Sequence, residues 1–390
     1  MEHLQQQFTI KYTYNVFFTT SLFAHNNQLL NDFLEGSATS GALRKILFVV
    51  DQGVVDTHED LRDQIKSYFE RHTAVQLVQD ILVIPGGEHV KNDTQYFDQI
   101  LEAVNTYGID RHSYIAAIGG GAVLDMVGYA ATVAHRGVKH IRIPTTVLSQ
   151  NDSGIGVKNS INYFGKKNFL GTFATPAAVF NDDQFLTTLS DRDWRSGISE
   201  AIKVALIKDA AFFNWIELNA AALVSRDMTT MNYLVWRCAQ LHLQHIAGAD
   251  PFESGSSRPL DFGHWSAHKL EYLTNFEVKH GEAVAMGIAL DTVYSQQSGR
   301  LTLEESERVV NLIQTLGFEI THELLQVTGD DSPILLGLQE FREHLGGELT
   351  IMLLNTIGEG AEVHEIDTAI LKQSAQILHN RQYDLHQNNI

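Results

Sequence analysis

The chain has 390 residues, 44% hydrophobic and 19% charged, with a formal net charge of −19. That length exceeds what one ordinary core fills, so two domains are expected, in a chain of ordinary globular composition. The acidic balance excludes a sequence-wide basic field for nucleic acid, and the single cysteine, Cys238, excludes an internal disulfide framework. Cys238 reads as a small buried hydrophobe in a helix, in a chain suited to a reducing compartment. The opening stretch MEHLQQQFTIKYTYNVFF lacks the succession of charged, apolar and small residues of a secretory signal. No window reaches the roughly eighteen apolar residues of a membrane span. A soluble cytoplasmic protein is the expectation.

In chain order, FTIKYTYNVFF (8–18) alternates in places and predicts one or two edge strands. KILFVVD (45–51) is a short apolar run ending in a carboxylate, followed by a helical segment over 57–72. ILVIPGGE (81–88) is a second such run, and 92–107 reads as an amphipathic helix. SYIAAIGGG (113–121) gives a third strand with a glycine turn, running into a helix, AVLDMVGYAATVAHR (122–136). KHIRIPTT (139–146) is a fourth strand. Strands alternating with helices predict a Rossmann-like parallel sheet covered on both faces.

Past about residue 190 the texture changes, and helical patterns dominate over 194–246, 263–275, 280–298 and 303–316. LTIMLLNTIG (349–358) reads as a strand, 367–380 as a closing helix, and RQYDLHQNNI (381–390) as a polar tail. The expected fold is α/β, with a Rossmann-like domain over 1–190 and a mainly helical metal-binding domain over 191–390.

A strand running into Gly119, Gly120 and Gly121 and then a helix lets backbone amides approach a pyrophosphate at a helix N-terminus. It is not the GxGxxG fingerprint, and alone it is equally a tight turn. Asp51 ends the first strand, where a carboxylate can take ribose hydroxyls or simply cap the next helix. Glu88 and Lys91 follow the second strand, and Thr145 and Thr146 end the fourth. Polar groups at the ends of successive parallel strands converge on one crevice, and together they favour a nucleotide.

In the second half, Glu200 and Lys203 in SEAIKVALI share a helix face, which by itself is only a salt bridge. DSGIGVKNSINYFGKKNFLG (152–171) gathers Asp152, Lys158, Lys167 and Asn168 among glycines, and clustered lysines in an acidic protein suit a phosphate. DFGHWSAHKLEYLTNFEVKHGEAVAMG (261–287) holds His264, His268 and His280. Two of these could bind a metal and leave the third for proton transfer. Spacing alone favours His264 with His268, which lie four apart on one helix face.

The motifs GGGAVLDMVGYAA, HRG, IPTT, DSGIGVKNSIN, GKKNFLG, SEAIK, GHWSAHKLE and HGEAVAMG, in this order over roughly 45–300, resemble the 3-dehydroquinate synthase family of sugar-phosphate cyclases. The resemblance implies metal ligands at Glu200, His264 and His280, with His268 facing the leaving phosphate. It implies NAD contacts from Asp51, Glu88, Lys91, Gly119, Gly120, Gly121, Asp125, Thr145, Thr146, Asp152, Lys158, Lys167 and Thr188. It places Asp152, Lys158, Lys167, Asn168 and Lys203 around a phosphorylated sugar, with Arg136 reaching across a homodimer interface. The chemistry implied is oxidation by NAD⁺, β-elimination of phosphate, re-reduction and aldol closure to a carbocycle, with one divalent ion, zinc or cobalt.

Departures from the family pattern fall on substrate recognition. Asp261 stands at an asparagine position. The arginine that would meet a substrate carboxylate aligns with Ser257 and reaches Arg258 only with a one-residue shift, and a lysine tied to that carboxylate aligns with Leu243. Arg342 and Glu343 stand where a lysine pair helps hold phosphate. An unpaired buried carboxylate is costly, so the expected substrate is a ketose phosphate other than the shikimate-pathway acid, such as sedoheptulose 7-phosphate. Retention of His268 argues the other way, towards 3-dehydroquinate formation itself. A metal-dependent polyol or alcohol dehydrogenase shares the GHxxxH…HG pattern but has no use for the lysines of DSGIGVK and GKKN. A non-catalytic relative would have no need of intact ligands.

Overall fold

The computed structural model describes residues 3–37, 43–248, 252, 259–329, 331–344 and 349–388. The chain forms two compact units, one of residues 1–145 and 154–187, the other of 146–153 and 188–390. The sequence reading placed a single boundary near 190 and did not separate 146–153.

The first unit is built on a seven-stranded parallel sheet. Its strands are β1 (Asn15–Thr19), β2 (Lys45–Asp51), β3 (Gln76–Leu77), β4 (Leu82–Ile84), β5 (Tyr114–Gly119), β6 (Lys139–Pro144) and, after a hairpin of β7 (Lys158–Tyr163) and β8 (Lys166–Phe173), β9 (Ala178–Asp182). The order is β1-β9-β6-β5-β2-β3, with β4 also paired to β2. Period-two alternation explains why the strands read as unbroken apolar runs. Ile46, Phe48 and Val50 enter one core with Tyr68, Ile118 and Phe180, while Leu47 and Val49 enter another with Ile115, Val123 and Val127. β4 and β5 flank β2 on opposite sides, so the winding reverses there and opens a crevice at the carboxyl ends of the strands.

Two features of this unit escaped the sequence reading. β9 lies inside the sheet between β1 and β6, and most of the 152–171 stretch is the β7–β8 hairpin. Phe164 and Gly165 at its turn both take positive φ, the backbone of a tight two-residue hairpin.

The second unit is mainly helical, with one antiparallel pair, β10 (Ile351–Thr356) and β11 (Glu359–Val363). The region 194–246 is several helices. Asp209 caps Ala210–Leu218 by accepting from the Phe212 amide, and Asp227 caps Met228–Ile246 by accepting from Thr230. The last helix runs Thr368–Asn388, so the stretch read as a polar tail continues it. Helices Asp191–Lys208 and His280–Gln297 are largely buried, the first from Ser196 to Ile207 with Glu200 and Lys203 among its buried residues. Two close approaches lock the helices together. A Cβ on Gly281 would stand 2.1 Å from the Ser196 carbonyl oxygen, and one on Gly287 1.9 Å from that of Gly263. These contacts join the helices that carry Glu200, His264 and His280.

Candidate active site

Glu200, His264 and His280 converge in the second unit, each offering a ligand atom within 4.8 Å of the others. Glu200 is fully buried, and neither of its carboxylate oxygens makes a hydrogen bond of proper geometry. His264 Nε2 lies 3.4 Å and His280 Nε2 3.3 Å from Glu200 Oε1. The opposite ring nitrogens show what these edges carry. His264 Nδ1 lies 3.1 Å from the Phe262 carbonyl and His280 Nδ1 3.1 Å from Glu271 Oε2. Carbonyl and carboxylate oxygens only accept, so both Nδ1 atoms hold a proton, and in the neutral ring Nε2 is the ligand atom. Two imidazole edges and a carboxylate turned towards one another make a donor set that a divalent cation fits. Zinc–ligand bonds of about 2.0–2.1 Å at the tetrahedral angle set donor atoms about 3.3–3.4 Å apart, which matches the spacing found.

His268 shares the His264 helix but is exposed, with its ring 5.5 Å from that of His264 and 6.1 Å from that of His280. A second possible group, His268 with Glu271 and His280, would take Glu271 away from orienting His280. The structure thus gathers the buried ligand set around Glu200 and leaves His268 accessible.

Lys203, one helical turn from Glu200, is in ion-pair contact with it and lies 3.7 Å from Asp152, which also meets His242 Nδ1 at 2.8 Å. Burial lowers the Lys203 ammonium, but Glu200 and then Asp152 outweigh it and hold the net shift upward. Burial raises the Asp152 carboxyl, while Lys203 and His242 bring it below its usual range. Glu200 follows the same pattern more strongly, held down by Lys203 and His264 against its burial. Asp261 adds a further negative charge that acts on Lys203.

In the first unit the strand ends carry the polar groups expected there. Asp51 caps the following short helix through the Gly53 amide at 2.8 Å, and burial raises its carboxyl. A Cβ on Gly86 would fall 2.3 Å from Asp51 Oδ2 and displace that carboxylate, and one on Gly119 would fall 2.9 Å from Val123 Cβ and 3.1 Å from Asp51 Cβ. Gly120 precedes the helix that begins at Gly121, and the Thr145 amide donates to the Gly119 carbonyl. Lys91 is 2% exposed and donates to Asp125 at 2.8 Å, to Ser160 at 3.1 Å and to Asn168, with Glu88 3.8 Å away.

Sequence profiles of the 3-dehydroquinate synthase N-terminal and C-terminal domains match residues 81–196 and 197–332. A 3-dehydroquinate synthase of Pseudoalteromonas atlantica is 31% identical over 92% of this chain and 96% of its own. The chain belongs to the 3-dehydroquinate synthase family. Among solved structures, ValA, a 2-epi-5-epi-valiolone synthase of Streptomyces hygroscopicus with NAD⁺ and Zn²⁺ bound, superposes with a TM-score of 0.86. It is 29% identical, over 97% of this chain and all of that one. A 2-deoxy-scyllo-inosose synthase complexed with carbaglucose-6-phosphate, NAD⁺ and Co²⁺ shares the fold at a TM-score of 0.75, 21% identity and coverage of 92% and 95%.

The family's remaining positions fall as follows. Lys158 and Lys167 are exposed and lie towards opposite ends of the β7–β8 hairpin, since Lys158 pairs with Phe173 and Lys166 with Tyr163. They are therefore not one cluster. Asn168 follows Lys167 and takes a left-handed backbone (φ +55), with its amide held by Asn162 Oδ1 at 2.8 Å. Thr146, Asp152 and Thr188 belong to the second unit, where the Thr146 hydroxyl meets Ser149 at 2.8 Å. Arg136 is exposed at φ +61 beside an open depression of about 550 Å³ lined by Asp110, Arg111, Val133 and His135. Ser257 and Arg258 lie outside the described residues, as does the Glu343 side chain.

Sequence reasoning missed Ser160 and Asn162, which tie Lys91, Glu88 and Asn168 together, and His242 on Asp152. It also missed Arg142, wholly buried, which donates to the carbonyls of Gly154, Gly156 and Lys158 and so moulds the turn that carries Lys158. Only Glu271 left a signal, as a carboxylate inside the quoted GHWSAHKLE motif.

Proposed function

We propose that this chain is a sugar-phosphate cyclase that converts a ketose phosphate into a carbocycle through transient oxidation, β-elimination of phosphate, re-reduction and intramolecular aldol closure. The observation that carries the reading is the Glu200–His264–His280 set, with both Nδ1 atoms anchored and the donor spacing of a tetrahedral ion. A zinc or cobalt ion held there would acidify a substrate hydroxyl, and bound NAD would accept a hydride and return it, leaving no net redox change.

The chain's own residues then have separable tasks. Glu271 keeps the His280 ring in the tautomer that presents Nε2. His268, exposed beside the ligands, exchanges a proton with the departing phosphate. Lys203, held as an ammonium by Glu200 and Asp152, stabilises negative charge that develops on substrate oxygen. Lys167 with Asn168 and, at the other end of the hairpin, Lys158 serve different parts of the phosphorylated substrate, and Asp51, Glu88, Lys91, Asp125 and the Gly119–Gly121 turn serve NAD. We extend the proposal to a homodimer in which Arg136 contributes to the partner's site.

The substrate reading rests on Leu243, an uncharged residue where the family pattern carries a lysine tied to a carboxylate, and on Asp261, which puts a negative charge at an asparagine position. A second reading, 3-dehydroquinate synthase proper, is favoured by the retained His268 and by relatives such as that of Pseudoalteromonas atlantica. Phosphate release, measured with NAD⁺ and a divalent ion across six- and seven-carbon sugar phosphates, separates the two. Sedoheptulose 7-phosphate or another neutral ketose phosphate should exceed 3-deoxy-arabino-heptulosonate 7-phosphate in kcat/KM by at least about tenfold, the factor that about 1.4 kcal/mol of unpaired charge supplies. The reverse preference defeats the proposal, and a net gain of NADH absorbance turns it into a dehydrogenase.

A further inference from the structure

We propose that Asp291 is a positioning residue of the metal centre, whose carboxylate holds the Gly263 backbone amide before His264 and the Trp265 indole after it and so sets the spacing of His264 and His280. The inference rests on the metal reading above and deepens it. Asp291 is 2% exposed, on the same helix as His280. Its Oδ2 accepts from the Gly263 amide at 2.9 Å and its Oδ1 from the Trp265 indole N–H at 2.9 Å. The two donors are the residues immediately before and after His264.

The surrounding geometry makes this contact a clamp. Gly263 begins the His264 helix in a left-handed conformation (φ +76) that glycine tolerates and other residues resist. Its carbonyl packs on Gly287, one turn before Asp291, where a Cβ would stand 1.9 Å away. The start of the His264 helix is therefore held at three points by the helix that carries His280. The His264 ring is oriented in turn by Phe262, just upstream. Asp291 reaches neither ligand itself, and its influence travels through the backbone of 262–265. A carboxylate is suited to the task because one side chain serves two buried donors, either of which would be costly to leave unpaired.

A merely structural role would show as lost stability with metal affinity intact, so the test measures affinity in folded protein. Chelator-stripped wild type, Asp291→Asn, Asp291→Ala and Trp265→Phe are titrated with Zn²⁺ against a competing chromophoric chelator. Co²⁺ absorption reports the ligand geometry, and circular dichroism confirms folding. Asp291→Asn keeps the volume and one acceptor oxygen, and Trp265→Phe removes one donor while leaving the carboxylate on Gly263. Both are therefore readable if Asp291→Ala fails to fold. Displaced orienting groups weaken metal binding by about 10- to 100-fold. Asp291→Asn should fall in that range with an altered Co²⁺ spectrum, and Trp265→Phe should weaken binding less. Folded variants with wild-type affinity and spectrum overturn the inference alone. If the wild type takes up no stoichiometric ion, the metal reading falls and the inference with it.

Discussion

Acid should destabilise the parallel-sheet unit through the wholly buried imidazole of His140, with His58 lowered by burial in the same unit. His140 lies on β6, and burial, reinforced by the Arg142 charge, pushes it down to about 3 from an ordinary 6.5. A group depressed in the folded state contributes stability that is present above its unfolded pKa and lost as pH falls towards the folded value. Between pH 7.5 and 5 the unfolded imidazole gains a proton that the folded one refuses, which removes about 2 kcal/mol, rising to about 4 kcal/mol by pH 3. The chain's tryptophans, Trp194, Trp215, Trp236 and Trp265, all belong to the other unit and do not report on β6. Hydrogen exchange of peptides covering β5 and β6 is the suitable assay, with wild type and His140→Gln compared at both pH values. Wild type should lose about 2 kcal/mol more protection than the variant. Asp291, raised to about 7 by its burial, acts with the opposite sign, since its share of stability is lost as pH rises through 7. It titrates in both proteins and cancels in the difference. Equal losses in the two proteins, within about 0.5 kcal/mol, would refute the reasoning, because His140 would then already accept its proton in the fold.

His280→Ala should abolish stoichiometric metal binding, whereas His268→Ala should keep the metal and slow phosphate release. Equilibrium dialysis with Zn²⁺ decides this, and retention by His280→Ala with loss by His268→Ala would transfer the site to the other group. Lys91→Met removes a buried ammonium from Asp125, Ser160 and Asn168 and should cost about 2–4 kcal/mol in the parallel-sheet unit. The same exchange assay on β5 and β7 reads that change, and a loss below about 1 kcal/mol would show that Asp125 is satisfied by solvent.

How much was legible follows from what each signal depends on. β2, β5 and β6 were readable because strands buried on both faces leave unbroken apolar runs. β9 carries only five residues in AVFND, too short a run to stand out. The β7–β8 hairpin carries lysines, asparagines and glycines that read equally well as a loop. The helices of 194–246 merged because their apolar period continues across the capping aspartates Asp209 and Asp227. In the site, Asn162, His242 and Asp291 act through partners far away in sequence, and no local pattern marks them. The histidines show the limit most plainly. Four-residue spacing favoured His264 with His268, but spacing along one helix says nothing of where a fully buried glutamate from another helix stands. Glu200 stands within ligand distance of His264 and His280, and the close packing at Gly281 and Gly287 joins the helices that carry the three.

Charge counting links the metal to the choice of substrate. Around Lys203 stand three carboxylates, Glu200, Asp152 and Asp261, with the His242 imidazole also on Asp152, so carboxylates outnumber the ammonium among the described groups. Buried like charges at such separations are tolerated only when a counter-ion joins them, and a divalent cation offsets that excess. With the ion in place Lys203 is matched by carboxylates, and His242 is already engaged by Asp152. A substrate bearing its own carboxylate would need a further cation, and the residue at 243 is leucine. A phosphorylated sugar with an uncharged head needs none, since its hydroxyls can use the ion, Lys203 and Asp152 as they stand. The same aspartate that departs from the family pattern at 261 thus adds negative charge beside Lys203 and the candidate metal ligands, on which the proposed preference for an uncharged head group rests.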